Sequence, residues 1–350
     1  MDEYSWAGAV GRIRVLEKRF LSRAELSSLA AGGSLESTLG ALRDTIYGLH
    51  IAEMQGAQSY TEALQDCLVA EYGMIAGMAP EPMVIAAYRG RHDFHNLKVI
   101  AKNRRLGMAV QEEAFSRIGN IDPDTLIKEL GKTPLPADER RPRKDDGMTA
   151  LRQTYEATAQ YGSDADSGHS EALDALLMDA SIDRAYYAWF GAVMKRYGYD
   201  SLVSYAEHEV DLINLRMFLR GKKQGLDADI MAYVFLPGGT ISESDLNGAY
   251  AQSDETLAGV FGGTPFEGLA VRGMKLVAEK ASLTDWEKTC DDAIMSFVKR
   301  ARYSPLGPEP AYGYVFGRET ETRNLRVILS GKQSQVSPKE ISERLREPYG

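Results

Sequence analysis

Cysteine is scarce in this sequence: Cys67 and Cys290 are the only two among 350 residues. They stand far apart without C-x-x-C spacing, so neither a disulfide framework nor a zinc knuckle can be built from them, and a reducing compartment suits the usage. Long apolar runs are missing too. A membrane-spanning helix needs about 20 consecutive apolar residues, and the best run, Met74 to Tyr88, is broken by Pro80, Glu81 and Pro82. The start, Met1-Asp2-Glu3-Tyr4-Ser5-Trp6, has no basic stretch leading into an apolar one, so no signal peptide is expected. Positive charge is in deficit: 41 Lys and Arg face 50 Asp and Glu, a formal net charge of −9. That argues against a general nucleic-acid binder, which needs a positive field to release counterions from phosphate, and leaves room only for local basic patches. The expectation is a soluble chain, or one that reaches a membrane only through another protein.

Catalytic and cofactor motifs are equally wanting. Gly131-Lys132-Thr133 has the form of the end of a phosphate-binding loop, but Leu126 stands where that loop needs its first glycine; Gly331-Lys332 fails likewise at Arg326. Asp145-Asp146 and Asp291-Asp292 offer halves of a magnesium site, yet Thr149 and Met295 occupy the place a turn later where another carboxylate is needed. Both pairs read as solvated faces or loop residues. No Glu-x-x-His pair suggests a di-iron bundle, and no G-x-S-x-G elbow suggests a hydrolase. The sequence therefore points to no cofactor, no metal and no active site.

What the chain does have is one helical pattern in three copies. A block ending in Asn-Leu-basic reads Asp93-Phe94-His95-Asn96-Leu97-Lys98, Asp211-Leu212-Ile213-Asn214-Leu215-Arg216 and Glu321-Thr322-Arg323-Asn324-Leu325-Arg326. The acid always stands three residues before the asparagine and the basic residue two after it. Leucine and the apolar residues three and four positions on form a buried helix stripe in each copy. A second block, Leu21-Ser22, Ile121-Asp122 and Ile241-Ser242, reads as a helix start, with Ser22, Asp122 and Ser242 as N-caps and the preceding apolar residue as a staple. Ser22 and Glu25 have capping-box spacing, and Pro123 suits a first helical position. A longer amphipathic helix lies between the two blocks each time; Cys67 and Cys290 fall on its core face.

These repeats predict an all-α fold of three similar multi-helical units, residues 1–112, 113–232 and 233–350. The strand signal is confined to the apolar run Met231 to Leu236. Gly131 to Gly147 and Gly162 to Ser170 read as exposed loops inserted in the second unit. His92 and His95 have a spacing that two metal-binding imidazoles can use, but no third ligand is in view, and the other copies carry Val210, Ile213, Thr320 and Arg323 there. The repeated acid, asparagine and basic residue are the only polar signature. Three copies of a catalytic centre in one chain would be odd, whereas an asparagine satisfying backbone groups of an adjoining loop and an acid favouring a helix N-terminus both make structural sense.

The stretch Tyr312-Gly313-Tyr314-Val315-Phe316-Gly317-Arg318-Glu319-Thr320-Glu321-Thr322-Arg323-Asn324-Leu325-Arg326-Val327-Ile328-Leu329-Ser330-Gly331-Lys332 resembles the C-terminal signature of the C subunits of prokaryotic V/A-type rotary ATPases, counterparts of the d subunits of eukaryotic V-ATPases. Ala79-Pro80-Glu81-Pro82 with the first Asn-Leu-basic block, and Ile182-Asp183-Arg184-Ala185-Tyr186-Tyr187, are similar to further segments of that family. The resemblance implies a funnel-like protein with pseudo-threefold symmetry and no catalysis of its own, held on the cytoplasmic side of the membrane. It would join the rotor shaft subunits, D and F by family name, to the membrane proteolipid ring and transmit torque, with the stator in the membrane as another candidate partner. Arg318, Glu319 and Arg323 are candidate partner contacts from local charge alone. The competing expectations are a soluble helical-repeat scaffold and a helical enzyme with a carboxylate metal site.

Overall fold

The computed structural model describes residues 3–56, 59–108, 112–132, 147–158, 171–252 and 255–350, and among them no residue is in a strand. The first helices are α1 (Ala7–Leu16), α2 (Arg23–Ala31), α3 (Leu35–Ala41), α4 (Gly48–Ala52), α5 (Tyr60–Met78) and α6 (Pro82–Arg105). Next come α7 (Pro123–Leu130), α8 (Gly147–Thr158), α9 (Glu171–Tyr197), α10 (Asp200–Gln224), α11 (Ala228–Val234) and α12 (Glu243–Ala251). The last are α13 (Glu255–Val260), α14 (Glu267–Ala278), α15 (Thr284–Val298), α16 (Glu309–Gln333) and α17 (Pro338–Arg344). The protein is all-α. The expected loop insertions lie outside the described residues, save Gly131, Lys132 and Gly147.

Local chemistry sets the helix starts. The hydroxyl of Ser22 accepts the Glu25 N–H and the Glu25 carboxylate accepts the Ser22 N–H, a complete capping box on α2. Asp122 accepts the Thr125 N–H with Pro123 at the first helical position of α7, and Ser242 accepts the Asp245 N–H at α12. Each bond satisfies a first-turn donor that the helix itself leaves unpaired. The apolar run Met231 to Leu236, the best strand candidate, instead contributes to α11: Met231 and Val234 are buried at i, i+3 spacing, a helical rather than an alternating pattern.

The chain divides into two compact units, Met1–Ile85 with Lys288–Gly350, and Ala86–Glu287. In the first, the apolar stripe of α16 (Leu325, Ile328 and Leu329) packs on Leu26 and Ala30 of α2, Leu64 and Cys67 of α5, and Ile341 of α17. In the second, Phe94 of α6 lies against Tyr186 and Trp189 of α9, with ring centroids 5.6 and 6.0 Å away. Phe218 of α10 packs on Tyr250 of α12 at 5.0 Å. Two equivalent glycines allow helices to approach closely: a Cβ on Gly221 would lie 2.7 Å from the sulfur of Met231, and one on Gly331 would lie 2.7 Å from Ile341 Cγ1. The Gly331-Lys332 pair therefore serves packing of α17 on α16.

Candidate functional site

The three asparagines of the repeated block are fully buried, and each holds one peptide unit of a later segment with both ends of its amide. Asn96 Nδ2 donates to the Ser116 carbonyl at 2.9 Å, and its Oδ1 accepts the Ser116 N–H at 2.8 Å. Asn214 clamps Leu236 in the same way at 2.8 and 2.7 Å, and Asn324 clamps Arg346 at 3.0 and 2.9 Å. A primary amide carries one donor and one acceptor side by side, the complement of a single residue's backbone N–H and C=O. No other side chain of this size except glutamine offers that pair, which accounts for asparagine in all three copies.

The acid latches the start of a capped helix. Asp93 takes the N–H groups of Asn120 and Ile121 at 3.1 and 3.0 Å, and Asp211 takes the Ile241 N–H at 3.2 Å. Glu321 takes the Leu21 N–H at 2.6 Å. In every copy the donor is the apolar residue just before the N-cap. The acid itself sits within a long helix, and the N-terminus it serves belongs to another one. The loop glycine that lets the carboxylate come so close is Gly119 in one copy and Gly239 in the next: an added Cβ would fall 2.3 Å from Asp93 Oδ1 and 2.2 Å from Asp211 Oδ1.

A third repeated contact lies eight residues after the asparagine. Lys222 Nζ donates to the Gln252 carbonyl at the end of α12, at 3.3 Å. Lys332 Nζ donates to the carbonyls of Ala30, Gly32 and Gly33 at the end of α2. Cations there suit the partial negative charge of a helix C-terminus. Arg104, at the equivalent position, donates instead to the Tyr155 hydroxyl at 2.6 Å. The basic residues two after the asparagine differ in setting: Lys98 pairs with Asp183 at 2.6 Å, Arg216 is half-buried and Arg326 is exposed.

The third copy adds a buried charge cluster. Arg318, only 1 % exposed, contacts Glu321 at 2.6 Å and Glu71 at 3.3 Å, and its guanidinium lies 3.9 Å above the Phe20 ring. Tyr47 donates to Glu321 at 2.8 Å and Tyr314 donates to Glu71. Burial pushes the Glu321 carboxyl above the usual carboxylate range, while Arg318, Tyr47 and the Leu21 N–H pull it back. A group with a raised folded pKa binds more protons folded than unfolded, so its contribution to stability falls as pH rises from the unfolded value of about 4.3 through the folded one. The stability difference between wild type and Glu321→Gln is accordingly expected to shrink as pH rises across that window. Paired denaturant titrations at stepped pH check this, and a difference that grows with pH refutes it.

Of the candidate partner contacts, Arg318 points inward, and Glu319 is half-buried and accepts the Tyr72 hydroxyl at 2.5 Å. Arg323 is exposed and lies 3.7 Å from Asp291. The pair Asp291-Asp292, read as solvated or loop residues, instead binds the segment beside the third clamp: Asp291 meets Arg346 at 2.8 Å and Asp292 accepts the Glu347 N–H at 2.7 Å. Asp145-Asp146 lies outside the described residues. His92 Nδ1 is 2.9 Å from the Ser116 hydroxyl, and burial lowers its pKa well below the usual value, so the imidazole serves the first joint as a neutral group. Burial pushes the Cys67 thiol up to about 12, which removes it as a nucleophile. Among the described residues no group of three or more His, Cys, Asp or Glu side chains is placed to hold a metal ion. Nor is any described helix long and apolar enough to cross a membrane.

Three repeated joints on long helices are architecture rather than a reaction centre, and a family model described as "ATP synthase (C/AC39) subunit" matches residues 9–344. The chain belongs to that family. It is similar to the C subunit of the A-type ATP synthase of Methanocaldococcus jannaschii, 25% identical over 99% of this chain and 87% of the relative. It is also similar to the C subunit of the V-type sodium ATPase of Enterococcus hirae, 24% identical over 96% of this chain and 97% of the relative. The C subunit of the A-type ATP synthase of Pyrococcus horikoshii is 22% identical over 98% and 90%. In this member of the C/AC39 family, the joints ask little of the sequence. Each depends on an asparagine and an acid on one side and on backbone groups, which any sequence supplies, on the other.

Proposed function

We propose that this C/AC39 family member is a non-catalytic part of the central rotor of a V/A-type ATPase or ATP synthase. It acts as a socket between the shaft subunits, D and F by family name, and the membrane proteolipid ring, with the stator in the membrane as another partner. The observation that carries this reading is the family match over residues 9–344, with relatives named as ATP synthase and ATPase subunits across almost their whole length. The joints support a mechanical role. A part that passes torque has to resist twist, and buried side-chain-to-backbone bonds that fix long helices to capped ones resist it better than packing alone. The sequence modules 1–112, 113–232 and 233–350 would then be three copies of one load-carrying element. Arg323, exposed on α16, is a contact candidate for a neighbouring protein of the complex.

The charge balance bears on how it is held. A chain of net charge −9 gains nothing from an anionic lipid surface, so attachment on the cytoplasmic side would run through protein. Affinity isolation of the tagged chain from native membranes tests the reading. Shaft and ring subunits are expected in the purified complex at fixed stoichiometry, and a chain that remains in the soluble fraction without ATPase subunits overturns it.

A further inference from the structure

The three joints have clamps of nearly equal span, 20, 22 and 22 residues, but differ in how far apart along the chain the two sides of the latch are. At the first, Asp93 and the backbone it latches are 27–28 residues apart; at the second, Asp211 and Ile241 are 30 apart. At the third, Glu321 and Leu21 are 300 residues apart. The clamp and the latch of the third joint thus hold two separate pieces of chain against α16: residues 345–349 and residues 7–21. The entropy of bringing two points together rises with the logarithm of their separation, so the short latches are partly closed by connectivity and the long one is not, whereas the third clamp spans 22 residues like the second.

The extra contacts found at the third joint tie these two pieces to α16, to each other, to the turn just ahead of α16 and, through Asp291 and Asp292, to α15. Arg14 Nη2 donates to the carbonyls of Ala301 and Ser304 at 3.1 and 2.7 Å, just ahead of α16. Tyr349 donates to Glu17 at 2.9 Å, and Arg23 pairs with Glu347 at 2.5 Å. Arg318 Nη1 reaches the Arg19 carbonyl at 3.3 Å. Phe20 meets Tyr314 edge-on and Tyr349 at a tilt, with ring centroids 5.2 and 5.1 Å away. On α16, Gly317 makes the room: a Cβ there would lie 2.7 Å from Tyr349 and 2.9 Å from Phe20.

We infer that residues 7–21 and 345–349 form a clasp on α16, keyed by Arg318, that opens and closes as one cooperative element while the first two joints stay shut. Cooperativity follows from the charges. Lifting residues 7–21 alone removes Phe20 from the face of Arg318 and the Leu21 N–H from Glu321, and leaves Tyr349 without Glu17. A buried charge with half its partners is costlier than one fully paired or fully wetted. Half-open states are therefore disfavoured, and because connectivity does little to close the 300-residue latch, the clasp opens ahead of the rest of the first unit. The inference does not depend on the rotor reading; it concerns the isolated chain.

Native-state amide exchange on the full chain tests it. Residues 7–21 and 345–349 are expected to exchange at a common rate, at least about tenfold faster than the Ile121 and Ile241 N–H groups. Arg318→Met should accelerate both pieces by the same factor and leave Ile121 and Ile241 unchanged. Should that variant fail to fold, Arg14→Gln, which removes the two carbonyl contacts and the pairing with Glu17, should give the same pattern with a smaller factor. Exchange of residues 7–21 without 345–349, or equal exchange at all three joints, overturns the inference.

Discussion

Replacing Asn214 with alanine is expected to destabilise the protein by about 3 kcal/mol, near the top of what a single polar truncation causes. The cost is the loss of two hydrogen bonds, each worth about 0.5–1.5 kcal/mol net, together with the desolvation of a Leu236 N–H and C=O left unpaired in a buried place. Water cannot readily replace the amide, because Leu236 is 2 % exposed. Asn214→Asp is a sharper probe. The carboxylate still accepts the Leu236 N–H but sets a second oxygen against the Leu236 carbonyl, so it should be worse than alanine at neutral pH and recover on acidification, when the protonated oxygen can donate. Denaturant titrations of the three proteins at neutral and acidic pH decide the matter; an alanine variant within about 0.5 kcal/mol of wild type would mean the clamp is incidental.

Gly239→Ala should cost about 2–4 kcal/mol, a large effect for one methyl group. The methyl would stand 2.2 Å from Asp211 Oδ1, and to clear it the loop must retreat and surrender the bond from the Ile241 N–H. Gly248→Ala in α12 is the control: nothing lies within 4 Å of a Cβ there, and alanine favours helix over glycine by about 1 kcal/mol. Measured again in an Asp211→Ala background, the Gly239→Ala penalty should shrink by at least half. An undiminished penalty would show that the methyl strains the loop itself and not its contact with the carboxylate.

Much of the fold was legible because its signals are local. Ser22, Asp122 and Ser242 cap helices in the structure for the reason their side chains suggest, since a cap bond spans only three residues. The apolar stripe after each asparagine follows from helix periodicity. What escaped the sequence is where the asparagine and the acid reach. Their targets are backbone groups: those of Ser116, Leu236 and Arg346, whose side chains share no chemistry, and those of Ile121, Ile241 and Leu21, which share only an apolar character that a helix staple already accounts for. A bond to backbone leaves no mark on the partner's sequence. The pairing of Glu321 with Leu21, 300 residues away, is invisible for that reason.

Two further repeats were legible in principle. Thr45-Ile46-Tyr47 and Thr264-Pro265-Phe266 make the same turn: the threonine hydroxyl donates to the carbonyl three residues before it, and accepts the N–H of the aromatic residue two after it. The cations Lys222 and Lys332, eight after the asparagine, were a second visible spacing. Both motifs lie outside the Asn-Leu-basic block, the Thr-x-aromatic turn far from it; the turn recurs in two copies, and the cation in three, with Arg104 in the first turned to Tyr155 instead of a helix end. The assignment of Asp291-Asp292 to a solvated face failed for a different reason: the carboxylates are polar because they receive the Arg346 side chain and the Glu347 N–H, and a docked segment looks like solvent from the helix it covers.

The glycines at the joints also bear on how such a module can diverge. Three residues past the clamped peptide the first two copies carry Gly119 and Gly239, and the helix opposite carries Arg89 or Glu207 four residues before its aspartate. In the third copy the loop position is the fully buried Tyr349, the helix position is Gly317, and the acid is a glutamate, one methylene longer. Side-chain volume has crossed from helix to loop, and the carboxylate has lengthened to span the wider gap. These exchanges are not tolerable alone: a tyrosine at Gly239 collides with Asp211, and a glycine in place of Tyr349 leaves a hole beside Gly317. Such a joint drifts in matched sets, so its history is written in combinations of residues and not in any one of them.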